Sequence, residues 1–310
     1  METVGERVKG DSRPGAAELV ARAAEIKTAI PAFNIPYLPM MEPVVRAVRD
    51  AEAFAFIDVA RLEWVKFEAR GPLEIKQEYD RCSDPKHTRL HLDHVPVIDE
   101  DDNRVDYLPV IEQALSLGYD SVMVDGSRLP LGENIAATRS VCKMAHAHGV
   151  PVEGELGAVL GHESGPMPPY EQLFADGTGF TDPAQAEEFV ASTGVDWLSI
   201  AFGNIHGPIS AAERKKEKIS ARLNIEHLTK IRDRVAVPIV LHGGSGIKNE
   251  NIVQAIEHGV AKINIASDLR RPYEAEKDRD LSKARAEVYN ATRRCLAQLG
   301  LEGTARKLTV

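Results

Sequence analysis

Eight short apolar runs, separated by stretches whose apolar residues recur at helical spacing, constrain this chain more than any other feature. The runs cover residues 29–34, 53–59, 88–93, 121–125, 150–156, 197–202, 238–242 and 261–266. Each has the length of a strand, and buried parallel strands read as nearly continuous apolar segments because both faces are covered. The intervening segments, such as 133–148 and 184–193, are amphipathic, and Gly149, Gly194 and Gly259 stand where helix C-caps are expected. Strand and helix alternating eight times predict an α/β fold closed as a (β/α)8 TIM barrel. An open doubly wound sheet is the competing arrangement, but no Gly-rich fingerprint follows the first run.

The composition fits that reading. A length of 310 residues suits one barrel domain over 1–310 with an extended C-terminal helical segment, 269–299. The chain is 43% hydrophobic but only 5% aromatic, which favours a core of small branched side chains. Lys and Arg number 38 against 47 Asp and Glu, a net charge of −9 with no basic stripe, which argues against nucleic acid as a partner. No apolar run reaches the roughly 18 residues of a membrane helix, and the first residues lack the apolar stretch of an export signal. Cys82, Cys142 and Cys295 are odd in number and far apart, so no disulfide framework is expected. These features point to a cytoplasmic protein.

The chemistry-bearing residues gather after the runs, at the strand ends where barrels of this kind build their sites. The third run ends in His91-Leu-Asp-His94, where alternation points His91 and Asp93 to one face and turns His94 away unless it already lies in the loop. The sixth is followed by Gly203-Asn-Ile-His-Gly207 and the seventh by Leu241-His-Gly-Gly-Ser-Gly246. A lone histidine is usually structural, and His87, His146, His148, His162, His227 and His258 are read that way. His94, His206 and His242 at successive strand ends instead form the ligand set of a catalytic zinc with an open position. Gly243-Gly-Ser-Gly246 precedes a predicted helix over 247–258, and Asn264-Ile-Ala-Ser-Asp268 precedes another, so backbone amides there can receive a phosphate. Two connections, 157–180 and 207–224, are long enough to be lids or surface loops.

With those residues assembled, the chain resembles the class II fructose-bisphosphate and tagatose-bisphosphate aldolases, in the bacterial branch of ketose-bisphosphate aldolases. The likeness runs through Pro31-Ala-Phe-Asn34, His91-Leu-Asp-His94, Ser121-Val-Met-Val-Asp-Gly-Ser127, Val152-Glu-Gly-Glu-Leu-Gly157, Thr181-Asp-Pro183, Gly203-Asn-Ile-His-Gly207, Leu241-His-Gly-Gly-Ser-Gly246 and Lys262-Ile-Asn-Ile265. It implies reversible retro-aldol cleavage of a phosphorylated ketose, resembling fructose-1,6-bisphosphate, to dihydroxyacetone phosphate and an aldehyde. It also implies zinc on His94, His206 and His242, with Asp125 and Glu155 at a second or alternative metal position. Asp93 would move the proton on the hydroxyl of the aldehyde half, and Glu163 would serve as the loop glutamate at the nucleophilic carbon. Gly207, Gly243, Gly244 and Ser245, with Asn264, Ile265, Ala266 and Ser267, would hold the ketone phosphate, helped by Na+ or K+. Asn34 completes the expected substrate contacts. Members of the family are usually homodimers or homotetramers.

A zinc ion chelating the ketone and hydroxyl oxygens would stabilise an enediolate as a Lewis acid, so no lysine Schiff base is required. The sequence departs from the family after the second run, where Asp58-Val-Ala-Arg-Leu-Glu-Trp-Val-Lys66 replaces a Ser with small residues. Arg61 would supply a planar cationic fork to an anionic group at the far end of the sugar; the plainer reading pairs it with Glu63 on the surface. The loop Leu160-Gly-His-Glu-Ser-Gly165 and the long 210–222 connection also depart. Two alternatives stand beside the main reading. One is the same site acting on another ketose phosphate or a sugar acid phosphate, and the other is a non-catalytic partner subunit, whose mark would be lost metal ligands.

Overall fold

The computed structural model describes residues 13–157, 159, 169–205 and 221–309. Eight strands, β1 (Ile30–Asn34), β2 (Ala55–Ala60), β3 (Thr88–Pro96), β4 (Ser121–Asp125), β5 (Val152–Leu156), β6 (Trp197–Ile200), β7 (Ile239–Leu241) and β8 (Val260–Ile265), close into a barrel in sequence order. All pairings are parallel, and β8 returns to β1 with Ile30 opposite Lys262 and Ala32 opposite Asn264. The predicted (β/α)8 barrel is therefore the fold. All eight runs became strands, most of them with their ends shifted by one or two residues.

Helix boundaries follow local chemistry. The Asp182 carboxylate accepts the N–H groups of Ala184 and Gln185, Pro183 occupies the first turn, and Gly194 ends the helix Pro183–Thr193 at φ 79°. The C-terminal segment expected over 269–299 is two helices, Ser267–Glu276 and Leu281–Gln298. Asp280 caps the second by accepting the Lys283 N–H at 3.0 Å, which fixes the break. The helix expected over 247–258 is the shorter Asn249–Glu257.

An N-terminal helix, Ala16–Glu25, packs Leu19, Val20 and Ala23 against Ile30, Ala32, Phe54, Phe56, Trp197 and Val240. It thus closes the end of the barrel where the strands begin. Ascending the strands, this apolar plug gives way to buried polar residues: Asn34, Asp58, His91, Asp93, Glu153, Glu155, Lys262 and Asn264. Such a polar layer is costly unless every group is partnered, so its presence marks the functional end. No helix among the described residues is long and apolar enough to cross a membrane.

Candidate active site

A defect in one strand brings the first two functional residues together. The register of β3 on β4 moves from Leu92 opposite Val122 to Val95 opposite Val124, so three steps on β3 match two on β4. The extra residue is a β-bulge, which re-aims side chains locally. Alternation alone would turn His94 away from Asp93. Instead both reach the barrel mouth within β3, where their ligand atoms and one of His242 lie within 4.8 Å of one another.

The two histidines are held from outside and face each other inside. His94 Nδ1 is 3.1 Å from Asp125 Oδ2, and His242 Nε2 is 2.6 Å from Glu153 Oε1. Each carboxylate accepts an N–H, which fixes the ring orientation and directs the other nitrogen inward. Those inner nitrogens, His94 Nε2 and His242 Nδ1, approach to 2.6 Å. Two lone pairs cannot sit so close without a cation or a proton between them. Burial alone would lower the pKa of His94, but Asp93, Asp125 and Glu155 outweigh it and push it up to about 10. His242 is shifted downward by burial and by the charge of His94. A proton shared by the two rings, or a divalent cation between them, would relieve the contact. The donor set fits a metal: imidazole nitrogens with carboxylates behind them.

A second group of potential ligands consists of His94, Asp125 and Glu155. Asp125 Oδ1 accepts the backbone N–H and the hydroxyl of Ser127, at 3.0 and 2.6 Å. Burial would raise its pKa, but the bonds from His94 and Ser127 hold it at about 2. Glu155 accepts the Ser199 hydroxyl at 3.1 Å, and burial together with the charge of Asp125 pushes its carboxyl upward. Two carboxylates of different basicity thus flank His94.

Asp93 lies in an amide cradle. Asn34 Nδ2 donates to Oδ2 at 2.8 Å and Asn264 Nδ2 to Oδ1 at 2.9 Å. Burial opposes ionisation, yet the charges of His94, His242 and Lys262 prevail and hold the carboxyl well below the usual carboxylate range. Beneath it lie four residues the sequence reading left without roles. Lys262 Nζ donates to Asn264 Oδ1 and Asp58 Oδ2 at 2.7 and 3.3 Å and forms an ion pair with Glu153 Oε2 at 3.0 Å. His91 shares a face with Asp93 as expected, their ligand atoms and one of Asp58 lying within 4.8 Å of one another; its ring is buried against Ser121 Oγ at 2.7 Å, and burial with the Lys262 charge lowers its pKa to about 3. Charged residues inside a parallel strand were the available signal, since such strands are otherwise apolar.

The loops after β7 and β8 are stitched together. Gly244 N donates to Asn264 O at 3.2 Å, and Ser245 Oγ accepts from Ala266 N and Asp268 N at 3.2 and 3.4 Å. A Cβ on Gly244 would stand 2.8 Å from Ile263 Cγ2 and 3.1 Å from Asn264 O, so glycine is what allows the approach. Gly243 takes φ 67° in the same turn. Ile265 ends β8, Ala266 is the N-cap, and Ser267 opens the helix Ser267–Glu276.

Arg61 follows directly on Ala60, which is paired in register with Asp93. Its partner is not Glu63. Glu63 turns back to accept the Ala60 N–H at 2.9 Å, capping the helix Arg61–Val65, while Arg61 Nη1 lies 3.7 Å from Asp99 Oδ2. Local capping competed for Glu63, and a loop after β3 supplied the carboxylate instead. His206, Gly207 and Glu163 lie outside the described residues.

A closed parallel barrel with imidazoles and carboxylates at its C-terminal mouth, where such barrels build their active sites, is the architecture of an enzyme with candidate metal-binding groups. The sequence pattern of the family described as fructose-bisphosphate aldolase class-II matches residues 15–305. The chain belongs to that family and is an aldolase, a carbon–carbon lyase; the family is generally metal-dependent. The YdjI aldolase from Escherichia coli K12 is 27% identical, with a TM-score of 0.73, over 93% of this chain and 98% of that one. A provisionally assigned fructose-1,6-bisphosphate aldolase from Coccidioides immitis is 26% identical, with a TM-score of 0.74, over 94% and 98%. Fructose-bisphosphate aldolase from Campylobacter jejuni, at 19% identity, TM-score 0.69 and 94% and 97% coverage, shares the fold.

Proposed function

We propose that this aldolase cleaves a phosphorylated ketose to dihydroxyacetone phosphate and an aldehyde, reversibly, with zinc held by His94, His206 and His242. The observation that carries this reading is the His94–His242 pair, whose outer nitrogens are committed to Asp125 and Glu153 while the inner ones converge beside Asp93. Zinc there would supply a Lewis acid for the negative charge that develops on the ketone oxygen. Asp125 and Glu155 would serve an alternative metal position, and Na+ or K+ would accompany the phosphate.

The protein groups then have defined work. Cleavage breaks the C3–C4 bond, and its electron pair passes to the ketone half. Asp93, ionised and oriented by Asn34 and Asn264, takes the C4 hydroxyl proton as C4 becomes the aldehyde carbonyl, and returns it in the direction of synthesis. Glu163 would exchange the proton at C3. Gly207, Gly243, Ser245 and the turn of Asn264, Ile265, Ala266 and Ser267 would receive the ketone phosphate, while Gly244 keeps the two loops in contact.

The aldehyde half sets the substrate. Arg61 directly follows Ala60, the residue in register with Asp93, and is only loosely paired with Asp99, which favours an anionic group at the far end of the sugar. The reading covers ketose bisphosphates and sugar acid phosphates. The test is release of dihydroxyacetone phosphate across a panel of fructose and tagatose bisphosphates, their monophosphates and sugar acid phosphates, with zinc supplied. Anionic far ends should be preferred at least tenfold in kcat/KM; inactivity on every ketose phosphate would refute it. A cytoplasmic homodimer or homotetramer belongs to the same proposal, and sedimentation would measure the assembly.

A further inference from the structure

Lys262 is the one fully buried lysine among the described residues, and it lies under the site rather than in it. Its ammonium group donates to Asn264 Oδ1 and Asp58 Oδ2 and forms an ion pair with Glu153 Oε2 at 3.0 Å. A lysine with two buried carboxylates paired to it stays protonated, so it is no nucleophile toward a ketone.

Two of its partners lead to the two halves of the site. Asn264 receives Lys262 on its oxygen and gives its nitrogen to Asp93 Oδ1 at 2.9 Å. A carboxamide can rotate by half a turn at little intrinsic cost, and that rotation would set Oδ1 against the Asp93 carboxylate. A cation on one edge and a carboxylate on the other leave one orientation. Glu153 receives Lys262 on Oε2 and the His242 N–H on Oε1 at 2.6 Å, so the same cation holds the carboxylate that directs His242 Nδ1 inward.

We propose that Lys262 is a positioning residue that aims Asp93 through Asn264 and His242 through Glu153, coupling the proton-transfer and metal-binding halves of the site from below. The part concerning Asp93 rests on the proton role assigned to that residue above. Lys262 touches neither reacting atoms nor metal, and it acts only through its two partners.

Removing the lysine alone leaves Asp58 a buried carboxylate without a partner, while Glu153 keeps the His242 and Trp197 N–H groups, so Lys262→Met is expected to fold poorly. The informative variant is Lys262→Met with Asp58→Asn, which removes one charge of each sign. If Lys262 only balances Asp58, this double variant recovers stability and activity together. The proposal expects recovery of the melting temperature with kcat still reduced at least tenfold, KM within about threefold, and metal affinity at least tenfold weaker. Asn264→Ala should itself lower kcat at least tenfold, and adding it to the double variant should cost less than a further threefold, because one path is cut twice. A folded double variant with kcat within threefold of the parent, or multiplying losses with Asn264→Ala, would overturn the proposal. A double variant that fails to fold would mark Lys262 as a structural pillar and overturn it as well. Asp93→Ala, assayed alongside, separates the two readings: if it retains turnover, the proton role has failed, and if it is inactive, any failure belongs to Lys262.

Discussion

Glu153→Gln is the most informative single substitution, because three donors converge on two carboxylate oxygens. His242 Nε2 reaches Oε1 at 2.6 Å, while Trp197 Nε1 and Lys262 Nζ reach Oε2 at 2.6 and 3.0 Å. Glutamine offers one acceptor oxygen and an NH2 group, so whichever way it turns, a donor faces a donor. At least one charge-assisted bond, worth about 1.5–3 kcal/mol, is lost. Lys262 also loses one of its two buried counter-charges, and together these effects cost about 3–5 kcal/mol, the range for breaking a buried pair. For a chain of this length that is a fall of about 5–8 °C in melting temperature. His242 simultaneously loses the acceptor that fixes its tautomer, which should weaken metal binding by about 10–100-fold. Thermal melts of chelator-treated protein and metal competition against a chromophoric chelator read the two effects separately. A melting temperature within 2 °C of the parent together with unchanged metal affinity would refute the reasoning about this layer.

Three further outcomes are expected. Asp93→Ala should keep its metal, since His94 and His242 retain their outer partners, and lose about 10²–10⁴-fold in kcat; near-normal turnover would remove Asp93 from proton transfer. Arg61→Ala should raise KM at least tenfold for substrates with an anionic far end and leave neutral ones unchanged, with a stability change of under about 1 kcal/mol because the Asp99 pair is partly exposed; equal effects on both substrate types would count against it. In the metal-free protein Asp125, held at about 2 against an ordinary 3.8, contributes roughly 2 kcal/mol that is complete above the ordinary value and lost as pH falls toward about 2. Denaturant unfolding between pH 5 and 3 should therefore be less pH-dependent for Asp125→Asn, and an unchanged slope would argue that Asp125 is not so held.

The barrel was legible because parallel strands buried on both faces advertise themselves as apolar runs, and because Gly194 and Asp182 punctuate the helices by known rules. The placement of Asp93 and His242 was legible too, since strand ends are where such barrels carry chemistry. The bulge in β3 was not. No glycine or proline marks it, and it shows only in the pairing, unbroken with β2 and shifted by one residue with β4. Glu153 and Lys262 were visible as charges inside apolar strands, at alternate positions to Glu155 and Asn264, but their mutual contact depends on barrel closure. The partner of Arg61 could not be read at all, because Asp99 sits on a loop brought near only by the pairing of β2 with β3. The polar layer beneath the site thus belongs to the fold, whereas its individual members were present in the sequence.

The central claim is that the inner nitrogens of His94 and His242 bind a divalent cation on which cleavage depends. The direct measurement is release of dihydroxyacetone phosphate from a ketose bisphosphate by the parent and by His242→Ala, each stripped with chelator and then titrated with zinc, with borohydride trapping in parallel. Activity should vanish on stripping, return at about one zinc per chain in the parent, fail to return in His242→Ala, and leave no trapped adduct. Turnover that survives stripping, with substrate trapped on a lysine by borohydride, would contradict the account.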